Sequence, residues 1–409
     1  GQSVSLLKEV TVEPQHIVLG LGGTVDYEIE WDSAAIEKLA WSYRIRGPDL
    51  TNLPEVVSER DFMVSLLNLL DKGMGGERYV VAPEVIHSVS SQLPYRVTLG
   101  GTPVRAALVM AVRGVPATVH LVSTNDETRA LLPGGTRILS SATEDSLFPH
   151  VIVQYPGGAT IELEDRVVSA PRANRVIYTH DPPNEELLLA GELGDALASA
   201  RLFLVSGLNI FKDESSLRQR LDQLVSLLGK VQPERTVVYE DAGFHIPRYS
   251  QIVRDALVPS IDVYSMNEDE AQQYIGGAVD LTSGSDVVAM LKELRRLIPA
   301  RHLMVHTHLW AALVGPEAIR YGEAVDAAVQ MASARYHFGD SLNLDRYETI
   351  ASFPHNDVAG GVGHMLSSVL GEPCAFSPGL LLETDRPTTI GLGDSFIGGF
   401  IAELAVRWE

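Results

Sequence analysis

Residues 202–240, LFLVSGLNIFKDESSLRQRLDQLVSLLGKVQPERTVVYE, run from a short apolar strand through an amphipathic helix into a second apolar strand. Leu202 to Val205 and Thr236 to Tyr239 carry no polar alternation, as expected of strands buried on both faces of a parallel sheet. Between them Leu217, Leu221, Leu224, Val225 and Leu228 recur at helical spacing, and Gly229 follows as a stop. Working outward, 16–19, 117–122, 261–264 and 303–306 read as further strands. A second helix is expected with Ser285 and Asp286 as its cap and Val287, Met290, Leu291, Leu294 and Leu297 as its apolar face. Strands alternating with helices give an α/β fold around a largely parallel sheet.

One region breaks this rhythm. Residues 150–155 and 160–163 flank Pro156-Gly157-Gly158 and read as a β-hairpin, with 176–179 as a further strand. Residues 25–31 alternate apolar and polar side chains like a half-buried antiparallel strand. These pieces suit a small β-rich lid inserted into the α/β domain. The chain has 409 residues, enough for two domains or one large domain with a lid.

With 32 Lys+Arg against 53 Asp+Glu, the formal charge is −21, a field that repels nucleic acid and acidic lipid. The single cysteine, Cys374, rules out an intramolecular disulfide. No apolar run approaches the ~20 residues needed to span a bilayer. Residues 1–10 contain Lys8 and Glu9 and lack the apolar core of a signal peptide, so a cytoplasmic protein is expected.

The chemistry-bearing stretch lies near the C-terminus. Thr388-Thr389-Ile390-Gly391-Leu392-Gly393-Asp394-Ser395-Phe396 passes from extended chain through a glycine turn into an apolar helix. Glycine lets the backbone approach a ligand, and the amides of Gly391, Gly393 and Asp394 at a helix N-terminus favour an anion such as a transferring phosphoryl group. Asp394 at the mouth of that turn suits a general base for an attacking hydroxyl. The structural alternative is a plain helix start, with Asp394 capping its own first-turn amides.

Together with this turn, Gly22-Gly23-Thr24-Val25-Asp26, Asp71-Lys72-Gly73-Met74-Gly75-Gly76-Glu77, Gly100-Gly101-Thr102, Pro171-Arg172-Ala173-Asn174-Arg175-Val176-Ile177, Ser206-Gly207-Leu208, Glu240, Met266-Asn267-Glu268-Asp269-Glu270 and His306-Thr307-His308 follow in collinear order. In this pattern the chain resembles the ADP-dependent glucokinase and phosphofructokinase family of the ribokinase-like superfamily. The resemblance implies a three-layer α/β/α domain with a mostly parallel central sheet, a small β-rich lid that closes over a sugar, and ADP as phosphoryl donor. It implies a large domain of 1–24, 48–142 and 181–409 and a lid of 25–47 and 143–180.

It also implies roles for single residues. Asp394 is the general base, and the amides of Gly391, Leu392 and Gly393 hold the donor phosphate. Arg175 contacts that phosphate, its planar fork of donors matching phosphate oxygens; the alternative is a surface arginine paired with Glu162 or Glu164. Asn267 and His306 fall near the nucleotide. Glu270, in the Asn-x-x-Glu pattern, organises Mg²⁺ and its waters, or else simply completes a capped helix start. Glu240 stands where the family carries His-x-Glu, but Val238 replaces the histidine, which leaves a metal role to the acid alone. Asp26, Glu77 and Gly101 form the sugar side. Glu77 resembles the acid of glucokinase members and favours glucose, since a carboxylate repels a sugar phosphate. Arg105 departs from the small residues usual after the Gly-Gly pair and reads as a phosphate anchor or a helix-surface residue. Small-molecule partners, sugar and ADP, are expected of a monomer or homodimer.

Competing readings are an ATP-dependent ribokinase-type kinase, an ADP-dependent phosphofructokinase, and a sugar- or nucleotide-binding protein without turnover. Gly20-Leu21-Gly22-Gly23 does not complete the dinucleotide-binding spacing, since Val25 takes the place of the last glycine, and no P-loop is present.

Overall fold

A computed structural model describes residues 11–408; the reading of 1–10 lies outside the described residues. The strands are β1 (Ile17–Leu19), β2 (Thr24–Ile29), β3 (Glu55–Val56), β4 (Gly76–Val80), β5 (Tyr95–Gly100), β6 (Thr118–Leu121), β7 (Arg137–Ser140), β8 (His150–Tyr155), β9 (Thr160–Glu162), β10 (Val167–Ser169), β11 (Asn174–Thr179), β12 (Leu202–Val205), β13 (Thr236–Glu240), β14 (Val263–Asn267), β15 (His302–His306), β16 (Trp310–Val314) and β17 (Cys374–Pro378). They form a nine-stranded sheet of order β17-β16-β15-β14-β13-β12-β1-β6-β7, a six-stranded sheet of order β3-β4-β11-β8-β2-β5, and the pair β9–β10. In the large sheet the strands from β7 across to β15 pair in parallel, and β16 alone is reversed, pairing antiparallel with both β15 and β17.

Both faces of the large sheet are covered. Leu202 and Leu204 point into a core shared with the helices Thr102–Val112, Gly322–Phe338 and Leu392–Val406, whereas Phe203 and Val205 point into the core of the opposite face. Successive side chains on a strand point to opposite faces, so a wholly apolar strand is one with helices on both sides. The last helix is held by Phe400, fully buried and stacked on Tyr321. Truncating a phenylalanine so placed costs about 3–5 kcal/mol.

The six-stranded sheet is amphipathic instead. Val25, Tyr27, Ile29, Val151, Val153, Tyr155, Val176 and Tyr178 bury one face, where Phe62 of the helix Glu59–Lys72 stacks on Tyr178 at 3.9 Å. The intervening positions put Asp26, Glu28, His150, Gln154, Arg175 and Glu77 on the other face, of which Glu28, Gln154 and Arg175 line the cleft.

Several expectations need correction. Strands β3, β4 and β5 lie within 48–142 yet pair in the six-stranded sheet, which therefore draws on 24–100 as well as 150–179. Residues 150–155 and 160–163 do not form a hairpin. β8 pairs with β2 and β11, while β9 turns back on β10. Pro156 and its glycines let the chain leave the sheet, and the tight reversal falls at 163–166, where the Leu163 amide donates to the Arg166 carbonyl. The helix expected to be capped at Ser285 and Asp286 starts two residues earlier. Ser283 is the cap and accepts from the Asp286 amide. No helix of the described residues is long and apolar enough to cross a membrane.

Candidate active site

The helix Leu392–Val406 starts at Gly391, whose φ of +72° is a left-handed conformation natural to glycine. No side chain caps this helix start, so its first-turn amides lack the intrahelical acceptors that later residues have. Asp394 does not cap its own helix. Its Oδ1 accepts from Thr102 Oγ1 at 2.8 Å, and its Oδ2 lies 3.9 Å from Arg105 Nε. Thr102 and Arg105 belong to the first turn of the helix Thr102–Val112, so two helix starts meet at one carboxylate.

Arg105 continues the chain of contacts to Asp26. Its Nη2 lies 3.3 Å from Asp26 Oδ2, while Thr24 donates to Asp26 Oδ1 at 2.8 Å. Arg105 is therefore no helix-surface residue; its side chain is 17% exposed. Gly101, at φ +88°, packs so closely on Gly22 and Gly23 that any side chain would strike their backbone. The candidate sugar residues Asp26 and Gly101 thus stand beside the candidate base.

The register of the six-stranded sheet sets His150 directly beside Asp26. His150 Nε2 bonds Asp181 Oδ2 at 2.7 Å, and Asn184 bridges Asp181 to the Gly23 carbonyl. Burial disfavours the charged imidazole, but Asp181, then Asp26 and Glu77, outweigh it and raise its pKa. Glu77 lies on β4, two strands beyond β8. It faces His245 at 3.4 Å across the cleft and accepts from Thr179. Burial pushes the Glu77 carboxyl up, yet His245, His150 and Thr179 hold it below its ordinary value. At the other end of the cleft Arg96 bonds Asp340 at 2.6 Å, a second ion pair between the sheets.

Arg175 sits on β11, facing the cleft. It makes no ion pair with Glu162 or Glu164, the surface alternative. Burial and the neighbouring Arg105 lower its pKa. Arg105, Arg175 and Gly391 line a common cleft of 1290 Å³.

Beyond the glycine turn, a group of acids closes the ends of β13 and β14. Glu240 Oε1 bonds His306 Nε2 at 2.9 Å, and Glu240 Oε2 is buried with no partner. Val238 itself is fully buried and apolar, and the imidazole beside Glu240 comes from β15, where His306 also stacks on Phe396. Burial, then Glu240 and Asp241, pushes the Glu270 carboxyl up to about 9, and burial pushes Asp241 up to about 6 against hydrogen bonds from Tyr274, Ala242 and Tyr264. Asn267 Oδ1 accepts from the Glu270 amide, so the capped helix start is present. Three buried carboxylates with one orphaned oxygen fit a cation better than they fit one another. Among the described residues no three His, Cys, Asp or Glu side chains are grouped so as to hold a metal ion directly. His308 pairs with Glu268 at 2.8 Å and does not join His306.

The sequence reading singled out neither Thr102, His150, Asp181 nor His245 as a site residue. Thr102 stands only as the end of Gly100-Gly101-Thr102, and His150, Asp181 and His245 stand in no motif; their contacts arise from pairing of distant strands and loops.

The region described as the ADP-specific phosphofructokinase/glucokinase conserved region matches residues 15–356. A phosphofructokinase from Pyrococcus horikoshii OT3, with AMP, superposes with a TM-score of 0.79 at 15% identity, covering 97% of this chain and 99% of that one. The last common ancestor of ADP-dependent phosphofructokinases from Methanosarcinales gives 0.76 at 15% identity, over 97% and 95%. An ADP-dependent kinase complexed with fructose-6-phosphate and ADPβS gives 0.67 at 13%, again over 97% and 95%. At such identities the likeness is one of fold. No curated protein matches the chain. The conserved region spans most of the sequence, and the chain belongs to the ADP-specific phosphofructokinase/glucokinase family of sugar kinases.

Proposed function

We propose that this chain transfers the terminal phosphate of ADP to a hydroxyl of an uncharged hexose, glucose in the first instance, giving glucose 6-phosphate and AMP. The observation that carries the reading is the run Thr102–Asp394–Arg105–Asp26. It sets a candidate base, with Oδ1 engaged and Oδ2 facing a cation, between an uncapped helix start and a sugar-binding carboxylate.

In this reading the six-stranded sheet is the lid, and sugar lies between Asp26, Glu77 and Gly101. The attacking hydroxyl gives its proton to Asp394 as its oxygen bonds the β-phosphorus. The bond from that phosphorus to the AMP oxygen breaks. The amides of Gly391, Leu392, Gly393 and Asp394 receive the equatorial charge, and Arg175 holds the donor phosphate. Asn267 and His306 border the nucleotide. Mg²⁺, when bound, neutralises phosphate charge; Glu240 and Glu270 would hold its waters. Closure of the lid excludes water from the phosphate.

Acceptor choice rests on charge. Glu77 sets a carboxylate on the sugar side, where it would repel a phosphorylated sugar. Fructose 6-phosphate is the second reading, favoured by the structural relatives, which are named as phosphofructokinases.

The test is a rate panel of ADP and ATP, each against glucose, fructose 6-phosphate, ribose and nucleosides. Glucose 6-phosphate formed fastest from ADP and glucose is the expected result. Faster turnover with ATP would remove the donor assignment, and preference for fructose 6-phosphate the acceptor. Calorimetric binding without any phosphorylated product would make the chain a non-catalytic binder.

A further inference from the structure

Arg105 occupies the place where base, sugar-binding acid and helix start meet. Its Nη2 is 3.3 Å from Asp26, its Nε 3.9 Å from Asp394, and its side chain crosses Gly391 so tightly that a Cβ there would meet its Cδ at 3.0 Å. A guanidinium offers five N–H donors, and the single hydrogen bond to Asp26 uses one of them. The side chain lines the open cleft together with Arg175, whose pKa is lowered by burial and by the Arg105 charge. Like charges brought together beside a cleft imply an anion between them.

Three roles are open to such a residue, and geometry separates them. As an anchor for a phosphate already on the acceptor, Arg105 is misplaced. In fructose 6-phosphate that group sits at the far end of the molecule from the reacting hydroxyl, whereas Arg105 lies beside the base that takes the hydroxyl's proton. As a strut between Asp26 and Asp394 it makes one hydrogen bond and one longer ion pair, which leaves donors over on a side chain that lines the cleft. Beside the base, over the glycine turn and facing Arg175, it is instead placed for the group in flight.

Resting on the kinase reading above, we propose that Arg105 is a catalytic residue whose guanidinium, opposite Arg175, bonds the equatorial oxygens of the phosphoryl group as it passes from ADP to the sugar. The sugar oxygen–phosphorus bond forms while the bond to the AMP oxygen breaks. AMP leaves with that electron pair, the hydroxyl proton goes to Asp394, and Arg105 stays charged throughout. The chain thereby carries its charge-stabilising arginine in cis on the helix Thr102–Val112.

The experiment compares wild type with Arg105→Lys, Arg105→Met and Arg105→Ala, each checked for an unchanged thermal midpoint. Arg105→Met is expected to lower kcat by about 10²-fold or more, with the sugar KM and the ADP Kd within about threefold of wild type. Arg105→Lys should retain part of the rate, and methylguanidinium should restore part of it to Arg105→Ala. An unchanged kcat overturns the proposal. So does a loss confined to the acceptor KM, or an equal loss in the Lys and Met variants with lowered midpoints. If wild type makes no sugar phosphate from ADP, the kinase reading fails first, and Arg105 is then judged by binding of AMP with aluminium fluoride. A tenfold or greater loss of that affinity in Arg105→Met at unchanged ADP affinity sustains the assignment; equal affinities end it.

Discussion

The hydroxyl of Thr102 donates to Asp394 Oδ1 at 2.8 Å, joining two helix starts 292 residues apart in the chain. The bond orients the carboxylate and leaves Oδ2 as the oxygen that can take a proton. Asp394→Asn keeps an oxygen for Thr102 but loses the basicity. It should lower kcat by about 10³-fold and leave ADP affinity within about twofold. Initial rates and calorimetry check both, and a near-normal kcat would refute the base assignment. Thr102→Val should be milder, since it frees the carboxylate without removing it.

Glu77 tests the acceptor. Its carboxylate faces the cleft between Thr179 and His245. Glu77→Ala should raise the glucose KM about tenfold, the equivalent of ~1.4 kcal/mol, and should leave fructose 6-phosphate unaffected or improved. Parallel losses on both sugars would take away the charge argument for glucose.

The orphaned Oε2 of Glu240 and the raised Glu270 bear on the metal. Glu270→Gln relieves the repulsion among the three acids, so the protein should fold at least as stably. Half-saturating Mg²⁺ should rise about 10- to 100-fold, the usual cost of losing an outer-shell partner. Magnesium titrations of the rate report it directly, and an unmoved midpoint would free Glu270 from any metal role.

His150 ties stability to pH. Its folded pKa is raised above 6.5 by Asp181, Asp26 and Glu77 acting against burial. A raised pKa means that the folded state holds the proton more tightly. The added stability is therefore complete below about pH 6.5 and fades as pH climbs through the folded value. His150→Ala strands a buried Asp181 and should cost about 3 kcal/mol at pH 6, with the gap to wild type narrowing at pH 9. Urea midpoints at the two pH values measure this, and a gap that widened with pH would show the imidazole to be neutral in the fold.

Local order was open to sequence reading where backbone and side chain agree over a few residues. β12, the helix that follows it, and the asparagine cap at Asn267 emerge where periodicity places them. The hairpin at Pro156 did not, because a proline–glycine turn says that the chain reverses, not which strand it will meet. Val238 shows the same limit at the site: the loss of a histidine is visible, the bond of Glu240 to His306 two strands away is not.

Apolar period, glycine placement and residue order along the chain were enough by themselves to define the α/β class, the family and the helix start at Gly391, since each depends on short-range sterics or on linear order. Tertiary structure alone decided that Arg105 joins Asp26 to Asp394, that Glu77 meets His245, and that β3, β4 and β5 belong to the second sheet. Those relationships arise from strand pairing and from charges brought together across hundreds of residues, and no local preference encodes which distant partner a buried charge will find.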